Sequence, residues 1–157
     1  MEQVMGLDQY LYAKQYTSDS TYFNKAGVFT LLKETLGADA RHLVKDSPSI
    51  SVEMKVGQWR KANEIHQYFV DNCQGGEDDC RMSYVSRDKV TELLDLCKQV
   101  LADHSKAEEL LPTQQGFFFG STEYGEWYFQ DLEDTVSILE NCLTMGDDWE
   151  FYYQSSW

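Results

Sequence analysis

No apolar run in this 157-residue chain approaches the ~20 residues a helix needs to cross a bilayer, so a membrane span is excluded. The first residues, Met1-Glu2-Gln3-Val4-Met5-Gly6, carry neither a basic head nor an apolar stretch of signal-peptide length, and the expected location is the cytoplasm. Basic charge is scarce: 13 Lys and Arg stand against 27 Asp and Glu, a net charge of -14. Such a field repels nucleic-acid backbones and anionic lipids, so direct binding to either is not expected. The imbalance is concentrated in residues 103–157, which hold 12 acids and one base, Lys106. A solvated face that keeps the domain soluble is the plainer reading of that segment, and mimicry of a phosphate backbone is the functional one.

Metal-binding and redox patterns are missing as well. Cys73 and Cys80 are separated by six residues, which fits neither a zinc knuckle nor a dithiol motif, and His42, His66 and His104 show no ligand spacing. Cys97 and Cys142 fall on apolar helix faces, where a thiol packs as a small hydrophobe. Reduced cysteines and no bound metal or cofactor are expected. No serine sits in a nucleophile elbow, the phosphate-loop lysine pattern is absent, and no cysteine has a local histidine partner. No catalytic residue is assigned, and a binding protein is favoured over an enzyme.

What the chain does have is aromatic side chains, 22 of them, and clear periodicities. Leu7 to Tyr12 reads as a strand. Asn24 is placed to cap a helix carrying Val28, Leu31, Leu32 and Leu36, with Gly37 as its left-handed stop. Ile50, Val52, Met54 and Val56 alternate with polar residues, which predicts a strand. From Gln58 to Cys73 the residues Trp59, Ala62, Ile65, His66, Phe69, Val70 and Cys73 share one arc at helical spacing, which predicts a helix. Ser86 is placed to cap a helix bearing Val90, Leu93, Leu94, Cys97, Val100 and Leu101. Pro112 breaks the pattern, and Gly116 to Gly120 reads as a buried strand or a packed loop. Ser121 or Thr122 is expected to start a long helix carrying Trp127, Tyr128, Leu132, Thr135, Val136, Leu139, Cys142 and Leu143. Trp149 to Tyr153 reads as a last strand. Strands and helices interleave without a βαβ rhythm. The expectation is one compact α+β domain over residues 1–157, with three to four main helices on a small, mostly antiparallel sheet.

The densest polar set is Trp59-Arg60-Lys61-Ala62-Asn63-Glu64-Ile65-His66. On one helix its ridge grades from apolar through His66 and Asn63 to the cation of Arg60, which suits a phosphate or carboxylate at Arg60, a heterocycle edge at Asn63 and His66, and a ring face at Trp59 or Tyr68. Against this, His66 reads as a satisfied core histidine, with Arg60 and Lys61 balancing nearby acids. Ser121 and Thr122, after Gly120 and at a helix start, offer N–H groups to an anion, although a plain cap is the simpler reading. Asp78 and Asp79 beside Gly76 lack calcium-loop spacing and read as a turn.

Five blocks carry a resemblance: Gly6-Leu7-Asp8-Gln9-Tyr10-Leu11-Tyr12, Trp59 to Val70, Asp78-Asp79-Cys80, Tyr84-Val85-Ser86, and Leu110 to Tyr124 with its Gly116-Phe117-Phe118-Phe119-Gly120-Ser121-Thr122 run. Together they resemble a family of small bacteriophage and prophage proteins over nearly the whole chain. Gln9 and Tyr68 stand where that pattern has Met and Trp, which bears on local packing. The resemblance implies origin more than reaction, and small phage proteins commonly antagonise host defence. It favours a ligand site at Trp59, Arg60, Lys61, Asn63, His66, Ser121 and Thr122, holding a small anionic, nucleotide-like immune signal and so sequestering it. An acidic inhibitor of a host defence protein is the alternative, a small nucleotide-processing enzyme the third, and a homo-oligomer is left open.

Overall fold

The computed structural model describes residues 6–20, 22, 27–37 and 48–157. Its order is β1 (Asp8–Ser18), α1 (Val28–Thr35), β2 (Ser49–Arg60), α2 (Asn63–Cys73), β3 (Ser83–Val85), α3 (Arg87–Ala102), α4 (Ala107–Leu110), α5 (Glu126–Thr144) and β4 (Glu150–Ser156). The strands form one sheet in the order β2-β1-β4-β3. β3 and β4 are antiparallel, with Tyr84 opposite Tyr152. Bonds from Asp19 N to the Pro48 carbonyl and from Lys61 N to the Leu7 carbonyl close the two ends of an antiparallel β1–β2 pair. The fold is α+β. No helix among the described residues is long and apolar enough to cross a membrane.

The chain clusters into two compact units, residues 14–54 and the remainder. In the smaller unit Lys14 pairs with Glu53 across the strands at 3.0 Å. Its helix α1 starts after Gly27, the N-cap, at φ 73. Asn24, expected as the cap, lies outside the described residues. Gly37, at φ 64, makes the left-handed stop, and its N–H bonds the Glu34 carbonyl. The buried face differs from the predicted stripe: Phe29 is buried, while Leu31 and Leu36 are exposed. Phe29 and the half-buried Leu32, three apart, share one face, whereas Leu31 projects elsewhere and Leu36 falls past the helix end as its C-cap.

In the larger unit, alternation puts Gln9, Leu11 and Ala13 of β1, Trp59 of β2, and Phe151 and Tyr153 of β4 on the inner face. Helices α2, α3 and α5 supply the rest of the core through Ile65, Phe69, Val90, Leu93, Cys97, Leu132, Leu139 and Cys142. Phe69 stacks on Tyr153 with ring centroids 4.1 Å apart. Gly57 lets a helix approach closely, since a Cβ there would sit 2.7 Å from Ile138 Cγ2. Ser86 caps α3, its hydroxyl accepting from Lys89 N at 3.2 Å.

Three further expectations are corrected. The helix from Gln58 begins instead at Asn63, because β2 runs on to Arg60 and Lys61 turns the chain at φ 61. Trp59 and Arg60 are therefore strand residues. The long helix starts at Glu126 after Gly125, not at Ser121 or Thr122, because hydrogen bonds hold residues 113–121 as a loop. Trp127 is 81% exposed rather than part of the core stripe, and in the Gly116–Gly120 run Phe117 is 94% exposed.

Candidate functional site

Two chain segments meet where β2 passes into α2. Lys61 N bonds the Leu7 carbonyl at 2.8 Å. The buried Gln9 carboxamide brackets Ala62, donating to its carbonyl and accepting from its N–H at 3.0 Å each. A glutamine side chain thus continues the strand pairing for one residue past the point where the backbone leaves the sheet. Asn63, first in α2 and buried, donates to the Phe119 and Ser121 carbonyls at 2.9 Å each. Its Oδ1 accepts from Gln114 N at 2.8 Å. Leu7 N also bonds the Phe118 carbonyl at 3.1 Å. The loop after α4 is therefore fastened to the β2–α2 junction by backbone groups that would otherwise be unsatisfied. Gly120 is required there on two counts: it sits at φ +84, and an added Cβ would lie 3.0 Å from Lys61 Cβ.

This fastening builds a cleft of about 400 Å³. It lies within the roughly 300–1,000 Å³ of small-molecule sites. Arg60 and Lys61 contribute cations, Gly120 and Ser121 the loop wall, and Gly125, Glu126, Trp127, Tyr128 and Asp131 the start of α5. Glu64 and Glu123 complete the lining. Gly125 gives α5 no side-chain cap, so its first N–H groups and the positive end of its dipole open toward this wall. Arg60 Nε stands 3.9 Å from Asp8 Oδ1.

Two lining carboxyls are perturbed. Glu64 is 3% exposed, and its Oε1 has no hydrogen-bond partner. Burial, with a smaller push from Asp131, raises its pKa to about 8. Asp131 is raised to about 7 by burial and then by Asp134. Both thus hold protons well into the range where exposed carboxylates are ionised. The cleft combines two permanent cations, an open helix start, an exposed indole and two proton-holding carboxyls. That set can grip an anion bearing a flat ring.

Of the residues expected from the sequence to bind a ligand, Arg60, Lys61 and Ser121 come together in the cleft. Thr122 is exposed beside it, its carbonyl accepting from Thr113 Oγ1 at 2.9 Å. Trp59 is in the core, donating from Nε1 to Thr135 Oγ1 at 2.8 Å. Asn63 is the clamp just described. His66 is fully buried between the Tyr153 hydroxyl, 2.7 Å from Nδ1, and Asp78 Oδ2, 2.9 Å from Nε2. It ties α2 to β4 and to Asp78 in the segment after the Gly75–Gly76 turn, and it does not line the cleft. Among the described residues no group of three or more side chains is arranged to hold a metal ion.

Sequence reasoning missed Glu64, Trp127 as a surface group, and Asp131. One signal was there: Asp131 falls three after Tyr128 and four before Thr135, so an acid sits on the buried stripe of α5. Comparison with protein-family models, curated proteins and solved structures gives no match.

Proposed function

We propose that the chain is a bacteriophage-encoded binding protein whose cleft holds a small phosphate-bearing, nucleotide-like ligand, sequestering a host defence signal in the host cytoplasm. The observation that carries this reading is the convergence of Arg60 and Lys61 with the uncapped start of α5 beside the exposed Trp127. In a chain of net charge -14, an anion binds only where cations and N–H donors locally overcome the field. The lining residues Arg60, Lys61 and Gly125 supply both. Trp127 provides a face on which a base stacks. The resemblance of the sequence blocks to phage proteins supplies the biological setting.

Calorimetry with mononucleotides, cyclic dinucleotides, cyclic oligonucleotides and ADP-ribose derivatives tests the reading. Arg60→Ala and Lys61→Ala are each expected to weaken binding by about 2 kcal/mol, the scale of a lost charge-assisted hydrogen bond. Trp127→Ala is expected to weaken binding while leaving the melting temperature unchanged, because the indole is outside the core. Absence of binding across the panel removes this function.

A second reading, an acidic inhibitor of a host defence protein, draws on α5. Glu126, Glu133, Asp134 and Glu140 are exposed along that helix, with Glu126, Glu133 and Glu140 spaced by heptads on one stripe. Capture of a basic host protein with strong salt dependence, unaffected by Arg60→Ala, would favour it.

A further inference from the structure

The cleft poses an electrostatic problem for any anion. Glu64 and Asp131 line it together with the cations Arg60 and Lys61, and so do Glu123 and Glu126. If Glu64 and Asp131 were both ionised they would cancel the two cations, and an incoming phosphate would meet four carboxylates. Yet Glu64 is almost wholly buried with an unpartnered oxygen, an arrangement that is costly for an ion and acceptable for a neutral acid.

We propose that Glu64 and Asp131 meet the phosphate of the bound ligand as hydrogen-bond donors, each carrying its proton into the complex. A carboxylic acid donates one short, strong bond to a phosphate oxygen, which a carboxylate cannot do. The wall then presents two cations and two neutral donors, a surface suited to an anion, where ionised carboxylates would have suited a cation.

The groups around Glu64 are consistent with this state. Asp131 and Tyr128 face it from α5, Cys97 from α3, and Arg60 and Lys61 line the same cleft from the β2–α2 junction. Asp131 has Asp134 as a further acidic neighbour on its own helix. Tyr128 and Cys97 are both raised far above their usual values by burial and by Glu64, so both stay neutral and add no negative charge beside it. Burial keeps Glu64 largely protonated and Asp131 partly so near neutrality, and an adjoining phosphate raises both further. Affinity must then fall as pH rises through their range, by up to about tenfold per pH unit for each proton taken up.

The inference rests on the phosphate-binding reading of the cleft, and the experiment separates the two. The probe is cyclic AMP, a phosphodiester that keeps one charge through the neutral range. Carboxyl carbon and amide NMR of the whole protein would follow Glu64, Asp131 and the amides of Lys61, Ser121 and Trp127 with and without the probe. The probe is expected to shift those amides and to move the Glu64 titration upward by about one pH unit. Glu64→Gln and Asp131→Asn keep an N–H donor, so each should bind at neutral pH and lose its own share of the pH dependence, and the double variant should lose most of it. Glu64→Leu, which donates nothing, should bind at least tenfold more weakly. Amide shifts without movement of either carboxyl titration, or the same pH profile in Glu64→Gln as in the wild type, overturn the proton coupling and leave the binding site standing. No amide shift with cyclic AMP or with any nucleotide of the panel removes both.

Discussion

The Asn63 carboxamide donates to the Ser121 carbonyl oxygen at 2.9 Å, tying the first turn of α2 to a loop 58 residues further along the chain. With the Phe119 carbonyl and Gln114 N on the same side chain, one residue satisfies three backbone groups of that loop. The cleft wall depends on this contact.

Asn63→Ala is accordingly expected to cost about 3 kcal/mol, the scale of several buried hydrogen bonds lost with partners left unsatisfied. Hydrogen exchange should accelerate across residues 113–123 more than in α3. Native-like protection of that loop in the variant would show that other contacts hold it.

Glu64 makes stability depend on pH. Its folded pKa of about 8 lies above its ordinary 4.5, so between these values the folded state binds more protons than the unfolded state. The stability tied to this proton is complete below the unfolded value and is lost as pH rises through the folded one, amounting to at most about 5 kcal/mol. Asp131 acts in the same direction. Urea unfolding across this pH range should show a steep decline in the wild type and a shallower one in Glu64→Gln. Parallel curves for the two proteins would mean that Glu64 is ionised throughout.

Phe69 stacks on Tyr153 in the centre of the core, and Trp59 packs near it with its Nε1 bonded to Thr135. Phe69→Ala and Trp59→Ala should each cost roughly 3–5 kcal/mol. Trp59→Phe should cost less, since it keeps a ring and loses the Thr135 bond. Melting temperatures unchanged in both alanine variants would contradict the packing.

All four cysteines are free thiols, with Cys97 and Cys142 buried. Burial pushes Cys73 and Cys142 up to about 11 and Cys97 higher. Since the thiolate is the reactive form, these three should react slowly with a disulfide reagent in the folded protein, and all four should react after denaturation without reductant. Rapid labelling of Cys97 in the folded state would signal opening of α3.

The local patterns that carry one physical meaning are legible in the chain. The alternation from Ile50 to Val56 lies in β2, the Ser86 signature caps α3, and Gly37 stops α1 with a left-handed turn. Each depends on neighbours within a few residues, so sequence suffices. The stretch from Gln58 to His66 carries two meanings, since Trp59, Ile65, His66 and Phe69 fit a helical arc while β2 runs on to Arg60 with Gly57 and Trp59 buried, out of step with the alternation from Ile50 to Val56. What decides between them is distant: Leu7 pairs with Lys61, and Gln9 brackets Ala62.

The sequence by itself determined the α+β class, the apolar faces of α3 and most of α5, and the choice of Arg60 and Lys61 as cations worth locating. Only the tertiary structure decided that His66 is a buried pin to Tyr153 and Asp78 and that Asn63 is a clamp. It alone brought Glu64 and Asp131 to the wall shared with Lys61. The reason is physical: a side chain's local spacing sets which face of its element it occupies, but the protonation of a carboxyl and the partner of an imidazole depend on burial and on groups 12 to 87 residues away.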